Sequence, residues 1–212
     1  MRFFRYFAAS ILIIMKHTIT IIATAIIALS GITACAQNNN KNNQSNPEMN
    51  NKKVLVAYFS WSGNTKVMAE YIAEKTNADL FVIEREQPYS SDYEPCTEEA
   101  KAEKEANIHP AIKGQVKDFD QYDVVFVGAP CWWYTAPMPV FTFLEGYNFE
   151  GKTVIPFCTA YTAEYQTMND IVKATPKSSH EKGLAVITTE MGGVGMAEKM
   201  GKVEQWLKEL GF

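Results

Sequence analysis

From Lys53 to Phe212 the sequence alternates short, unbroken apolar runs with stretches of helical spacing, five times over. Unbroken runs suit strands buried on both faces, because a strand with one wet face alternates apolar and polar residues. The first is Val54-Leu55-Val56-Ala57-Tyr58-Phe59, which ends in a Ser/Gly turn. A helix over Thr65 to Lys75 follows, with Val67, Met68, Tyr71 and Ile72 spaced to face a sheet. The second strand centres on Leu80-Phe81-Val82-Ile83. A loop from Gln87 to Pro95 leads to a helix over Thr97 to Ala106, with Thr97 as cap and Glu98 and Glu99 suiting the positive end of its dipole. Val124-Val125-Phe126-Val127 is the third strand, followed by a Pro- and Trp-rich loop and a short helix over Val140 to Leu144. The fourth strand spans Thr153 to Cys158, where Pro156 removes a ladder donor, and a helix over Glu164 to Ala174 comes next. Gly183 to Thr188 is the fifth strand, and the last helix, Met196 to Leu210, puts Val203, Trp206, Leu207 and Leu210 on one face.

Five βα units with buried strands predict an α/β fold, a doubly wound parallel sheet with helices on both faces and right-handed connections. A five-stranded sheet of this kind most often has the order 2-1-3-4-5, with its ligand crevice at the carboxyl ends of strands 1 and 3. Those two ends carry the distinctive loops of this sequence.

What precedes the repeats is of another kind. Phe3 to Ala34 is almost wholly apolar, with Arg2, Arg5, Lys16 and His17 as the basic residues of the segment and no acid. It ends Ile32-Thr33-Ala34-Cys35. A basic start, an apolar run and small residues at a cut site make a secretory signal over 1–34, and a cysteine directly after the small residues resembles the lipobox of bacterial lipoproteins, which implies lipidation of Cys35. A retained transmembrane anchor is the alternative, since Ile11 to Ala34 is long enough to span a bilayer. Met15-Lys16-His17 reads as the true start of an ordinary signal. Residues 35–52 form a tether: half of the 16 residues from Ala36 to Asn51 are Asn, with almost nothing to bury, so disorder is expected there. The folded domain is 53–212.

Beyond the signal, 17 basic residues face 24 acidic ones, a net charge of −7. No basic cluster is present, so nucleic acid is not an expected partner. The histidines and cysteines are never at metal-ligand spacing. With Cys35 lipidated, Cys96, Cys131 and Cys158 remain, an odd number in a compartment that permits disulfides. They are either three buried thiols or one pair and a free thiol. Cys131 and Cys158 close strands 3 and 4, neighbours in the expected order, and are the pair to consider.

Ser60-Trp61-Ser62-Gly63-Asn64-Thr65 joins strand 1 to the first helix. A helix N-terminus offers unpaired N–H groups and the positive end of a dipole, an anion site, and Gly63 lets the backbone turn close to a ligand. Ser60, Ser62, Asn64 and Thr65 can each donate to a phosphate. The Gly-Lys-Ser/Thr ending of a nucleotide-triphosphate loop is missing, which disfavours NTP hydrolysis. The second loop, Ala129-Pro130-Cys131-Trp132-Trp133-Tyr134-Thr135-Ala136-Pro137-Met138-Pro139, places three aromatics in succession after strand 3, where a planar ring system would stack. A core plug or a partner-binding patch is the other reading of that loop.

Together the two loops resemble the flavodoxin family, and most closely its bacterial branch with Ser-x-Ser-Gly-Asn-Thr and Pro-x-Trp-Trp loops. The likeness runs through Val54 to Thr65, Gly128 to Trp133, Ala136-Pro137-Met138-Pro139 and Pro156-Phe157-Cys158-Thr159. It implies noncovalent FMN, with the phosphate held by Ser60, Ser62, Asn64 and Thr65 around Trp61 and Gly63. Ala129, Pro130, Cys131, Trp132 and Trp133 would line the flavin ring and Thr159 would lie near it. In the family strand 4 usually runs into a Gly/Ser-rich turn, whereas Thr159-Ala160-Tyr161-Thr162-Ala163-Glu164-Tyr165 has no Gly. Either Tyr161 or Tyr165 stacks on the ring instead, or the pocket is partly closed. The expected function is a membrane-tethered FMN redox protein facing the periplasm, an electron carrier or a small reductase with a small-molecule or protein redox partner. An FMN store without turnover and a scaffold that has lost FMN are the alternatives. An acidic surface fits the first reading, because it disfavours the anionic reduced flavin.

Overall fold

The structure is a computed structural model that describes residues 49, 51–189 and 193–212. The signal, Cys35 and most of the tether lie outside the described residues. Met49, within the segment expected to be a tether, is buried and its carbonyl accepts from the Lys52 amide at 3.2 Å.

The strands are β1 (Val54–Tyr58), β2 (Asp79–Val82), β3 (Val124–Pro130), β4 (Thr153–Ala160), β5 (Ser179–His180) and β6 (Leu184–Ile187). The helices are α1 (Asn64–Thr76), α2 (Tyr93–Ala106), α3 (Met138–Glu145), α4 (Thr167–Ala174), α5 (Val194–Ala197) and α6 (Met200–Leu210). All strand pairings are parallel and run in the order 2-1-3-4-5, with β6 also pairing β4. The fold is therefore the expected doubly wound α/β sheet, with its fifth position shared by two short strands.

The unbroken apolar runs are explained by two cores. Leu55, Ala57, Phe59, Val125, Val127 and Val154 pack on one face with Phe143 and Leu144 of α3 and Ile171 of α4. Val54, Val56, Tyr58, Val124, Phe126, Ile155 and Phe157 pack on the other with Met68 and Ile72 of α1 and Val203, Trp206 and Leu207 of α6. Successive side chains point to opposite faces, so both parities must be apolar.

Two departures from the expected boundaries involve prolines. α2 begins at Tyr93, not Thr97, because Pro95 sits in the first turn, where a helix has no use for its missing N–H; Thr97 instead donates its hydroxyl to the Tyr93 carbonyl at 2.7 Å. β4 runs two residues beyond Cys158 despite Pro156. It pairs β5 at Thr153 and Val154 and β6 from Phe157 onward, so Pro156 faces the gap between the two short strands. A Cβ at Gly183, in that gap, would stand 2.5 Å from the Pro156 carbonyl, which is why the chain crosses there without a side chain. β2 is an edge strand, with Leu80 and Val82 exposed and Phe81 stacked on Phe143 at 5.6 Å.

Candidate functional site

The loop after β1 turns at Gly63, whose φ of 90° is in the left-handed region that glycine occupies at little cost. α1 starts there with no side-chain cap and no acid in its first turn, and a helix start leaves its first amides without intrahelical partners. Three hydroxyls of the loop have different fates. The Ser60 hydroxyl is buried and has no hydrogen-bond partner among the described residues. Ser62 Oγ accepts weakly from Asn64 Nδ2 at 3.5 Å. Thr65, almost fully buried, bonds Thr159 hydroxyl to hydroxyl at 2.7 Å, tying α1 to β4. Asn64 Oδ1 accepts from the Gly193 amide at 2.8 Å, which joins this loop to the start of α5.

The second loop is a tight hairpin. Trp132 and Thr135 exchange two backbone hydrogen bonds, at 2.8 and 3.1 Å. Trp133 and Tyr134 between them both have positive φ, 49° and 72°, the signature of a type I′ turn, which Asn-Gly would fill more easily. The aromatics are held from outside the turn. Trp133 Nε1 donates to the Thr97 carbonyl at 3.0 Å, and Lys101 Nζ lies 5.4 Å from the centre of the Trp133 ring. Trp132 meets Phe59 and Tyr89 edge-on, at 5.2 and 5.3 Å, and Trp61 at 6.5 Å. Trp61 is in turn fixed by donating to the Ser90 carbonyl at 3.0 Å. Behind this wall the Tyr89 hydroxyl donates to Glu103, which also pairs with Arg85 at 3.3 Å; burial, then that carboxylate, holds the Tyr89 phenol far above its ordinary pKa.

These loops enclose a cavity of about 380 Å³ lined by Trp61, Tyr93, Cys96, Thr97, Ala100, Cys131, Trp132, Trp133, Tyr134, Tyr161, Thr162, Ala163 and Tyr165. None of the described lining residues is Asp, Glu, His, Lys or Arg. The structure thus brings together Trp61, Cys131, Trp132, Trp133 and Tyr161 from the sequence reading. Ala129, near the end of β3, has its side chain fully buried in the core, so only its backbone can face a ligand. Thr159 is also buried, its hydroxyl engaged by Thr65 and its carbonyl accepting from the Cys131 amide at 2.9 Å.

Tyr93, Cys96, Thr97 and Ala100 were missed. They recur three and four residues apart on α2, a signal of a face turned to something, but the surrounding charges read as a solvated helix. The loop after β4 does not close the cavity. Tyr161 and Tyr165 stand at its mouth, 67% and 49% exposed, with Tyr165 at a φ of 46°.

Cys96, Cys131 and Cys158 are free thiols, so the Cys131–Cys158 disulfide is not formed. Cys158 stands opposite Ala129, two residues short of Cys131. Such diagonal positions lie about 7–8 Å apart, beyond the usual disulfide span. Burial pushes the Cys131 and Cys158 thiols up, and pushes Cys96 to about 11 with Glu99 and Glu103 adding to it. None is a thiolate at neutral pH, and the thiolate is the reactive form.

A flavodoxin family model matches residues 53–200. The chain is similar to a flavoprotein candidate from Bacteroides eggerthii, with 32% identity over 76% of this chain and 99% of that one and a TM-score of 0.64. A second candidate, from Bacteroides uniformis, shares 27% identity over 74% and 98% of the two chains, with a TM-score of 0.62. A flavoprotein of Lactobacillus acidophilus solved in complex with FMN shares 22% over 74% and 99%, with a TM-score of 0.59, a likeness of fold. No curated protein matches the sequence.

Proposed function

The chain belongs to the flavodoxin family, and from that premise we propose that it holds FMN noncovalently and serves as a redox protein tethered to a bacterial membrane. The observation that carries this reading is the buried, unpartnered Ser60 hydroxyl below an uncapped helix N-terminus, next to a charge-free aromatic cavity. A buried hydroxyl without a partner costs about 1–3 kcal/mol, and a phosphate group supplies the acceptor. Ser62, Asn64 and the first amides of α1 complete the anion site around Gly63, and the Thr65–Thr159 bond holds that helix start against β4. Trp61, Pro130, Cys131, Trp132 and Trp133 are the residues that would take the ring.

FMN supplies the electron chemistry that these side chains lack. The chain's part is to fix the ring between braced aromatics and to keep charge and bulk water from it. The redox partner is either a small molecule at the cavity mouth or a second protein. Cys35, after Ile32-Thr33-Ala34, supports a lipid anchor on an exported chain facing the periplasm.

The test is the visible spectrum of the full chain after FMN is added and the excess removed. Flavin bands at near one FMN per chain are expected, and a folded, colourless protein would refute the reading. Mass spectrometry of the mature N-terminus checks the anchor, with a lipidated Cys35 expected and a free or retained N-terminal segment against it.

A further inference from the structure

Among the described residues, four aromatic side chains stand exposed: Tyr93, Tyr134, Tyr161 and Tyr165, at 65, 57, 67 and 49%. All four line the same cavity. They come from three separate segments: the start of α2, the tip of the hairpin and the loop after β4. Exposed aromatic rings gathered from distant parts of a chain mark a binding surface.

The fold keeps these rings where smaller residues would sit more easily. Tyr134 and Tyr165 both have positive φ, 72° and 46°, a conformation that costs a non-glycine residue roughly 1–2 kcal/mol. They meet edge-on at 4.8 Å and 89°, and the Gln166 amide donates to the Tyr134 carbonyl at 3.0 Å, which locks hairpin and loop together. None of the four phenol hydroxyls bonds another described residue.

Charge decides what such a mouth accepts. The cavity lining holds no charged side chain. Lys101, near the hairpin, is engaged by the Trp133 ring and by Glu105 at 3.7 Å. A ligand with phosphates or a sulfonate therefore finds no cation among the described lining residues, whereas a flat, neutral ring finds stacking surfaces and hydroxyl donors. We propose that Tyr93, Tyr134, Tyr161 and Tyr165 form a second stacking site that takes a neutral, planar aromatic molecule bearing carbonyl acceptors, of the quinone class. The proposal rests on the flavin reading, which assigns the Trp132–Trp133 wall to the cofactor and leaves the tyrosines to a second ring. It makes the small-molecule partner a quinone-like ring and not a nicotinamide dinucleotide, whose pyrophosphate needs a basic or helix-terminal site.

The test uses the full chain, loaded with FMN and flavin-free, in calorimetric titrations with duroquinone, which is neutral and fully substituted and so spares the thiols. NADH and anthraquinone-2-sulfonate are the charged comparators. Saturable duroquinone binding to the loaded protein is expected, with the comparators at least tenfold weaker. Tyr161→Ala with Tyr165→Ala should weaken it about tenfold or more, because two stacking contacts are lost. Tyr161→Phe with Tyr165→Phe should keep it to within about threefold, as stacking requires. Retained FMN with no duroquinone binding, with equal binding by the double alanine variant, or with tighter binding of NADH, overturns the inference and leaves the flavin reading standing. A chain that does not retain FMN refutes the flavin reading instead. The same variants then decide on the flavin-free protein: loss of duroquinone binding supports the tyrosine site, and unchanged binding overturns it.

Discussion

Ser60→Ala separates a site residue from a structural one, because its two effects have opposite signs. In the flavin-free protein the Ser60 hydroxyl is buried with no partner among the described residues. Such a group destabilises by about 1–3 kcal/mol, so alanine, which deletes it and leaves little void, should leave the flavin-free protein unchanged or raise its stability by up to about 2 kcal/mol. In the loaded protein the same hydroxyl would donate to a charged phosphate oxygen, a bond worth about 1.5–3 kcal/mol. Its loss should raise the FMN dissociation constant roughly 10- to 150-fold. The two effects meet in one experiment. At FMN a hundredfold above the wild-type dissociation constant, ligand stabilises by about 2.7 kcal/mol, and a tenfold weaker site reduces that to about 1.4. Denaturant unfolding of both proteins with and without FMN, beside a fluorescence titration, reads all four quantities. A variant that loses more than about 1 kcal/mol without FMN and binds FMN as before would refute the reasoning, since the hydroxyl would then be serving the fold.

Three further outcomes follow from the geometry. Thr65→Val strands the buried Thr159 hydroxyl and should cost about 1–2 kcal/mol in chemical unfolding, and adding Thr159→Val should restore part of it, a coupling that a double-mutant cycle measures. Replacing Trp133-Tyr134 by Asn-Gly suits the type I′ turn and should relieve roughly 1–2 kcal/mol of backbone strain, while removing two cavity rings; reduced flavin retention at unreduced thermal stability is the expected pair of readings. Burial lifts the Cys96 thiol from 9.0 to about 11, with Glu99 and Glu103 adding to the lift; a raised pKa in the folded state means stability that is complete below pH 9 and lost between about 9 and 11. Unfolding free energy should fall over that window, and Cys96→Val should flatten part of the slope.

The element types and the sheet order were legible because each depends on a local pattern. An apolar run such as Val54 to Phe59 has no other use for two greasy faces than burial on both sides, and the Ser-Trp-Ser-Gly-Asn-Thr turn names its own position at a helix start. Met49 is packed against the core although its neighbours in sequence are Asn and Glu, a contact that composition does not reveal. Pro95 and Pro156 misled for a related reason: what a proline costs depends on whether its missing N–H had a partner, and that is settled by a helix turn in one case and by a gap between β5 and β6 in the other.

The site divides along the same line. The chemistry of the two loops could be read from residue types, since hydroxyls around a glycine suit a phosphate and consecutive tryptophans suit a ring. Which hydroxyl is free could not, because Ser60 and Thr65 are alike in sequence. Only tertiary structure pairs Thr65 with Thr159, 94 residues away, and leaves Ser60 buried alone. Likewise no spacing announces that Tyr93, Tyr134, Tyr161 and Tyr165 share one mouth. Local propensity writes a residue's conformation, but a cavity is a meeting of segments distant in the chain, and which segments meet is decided by how helices close over the sheet.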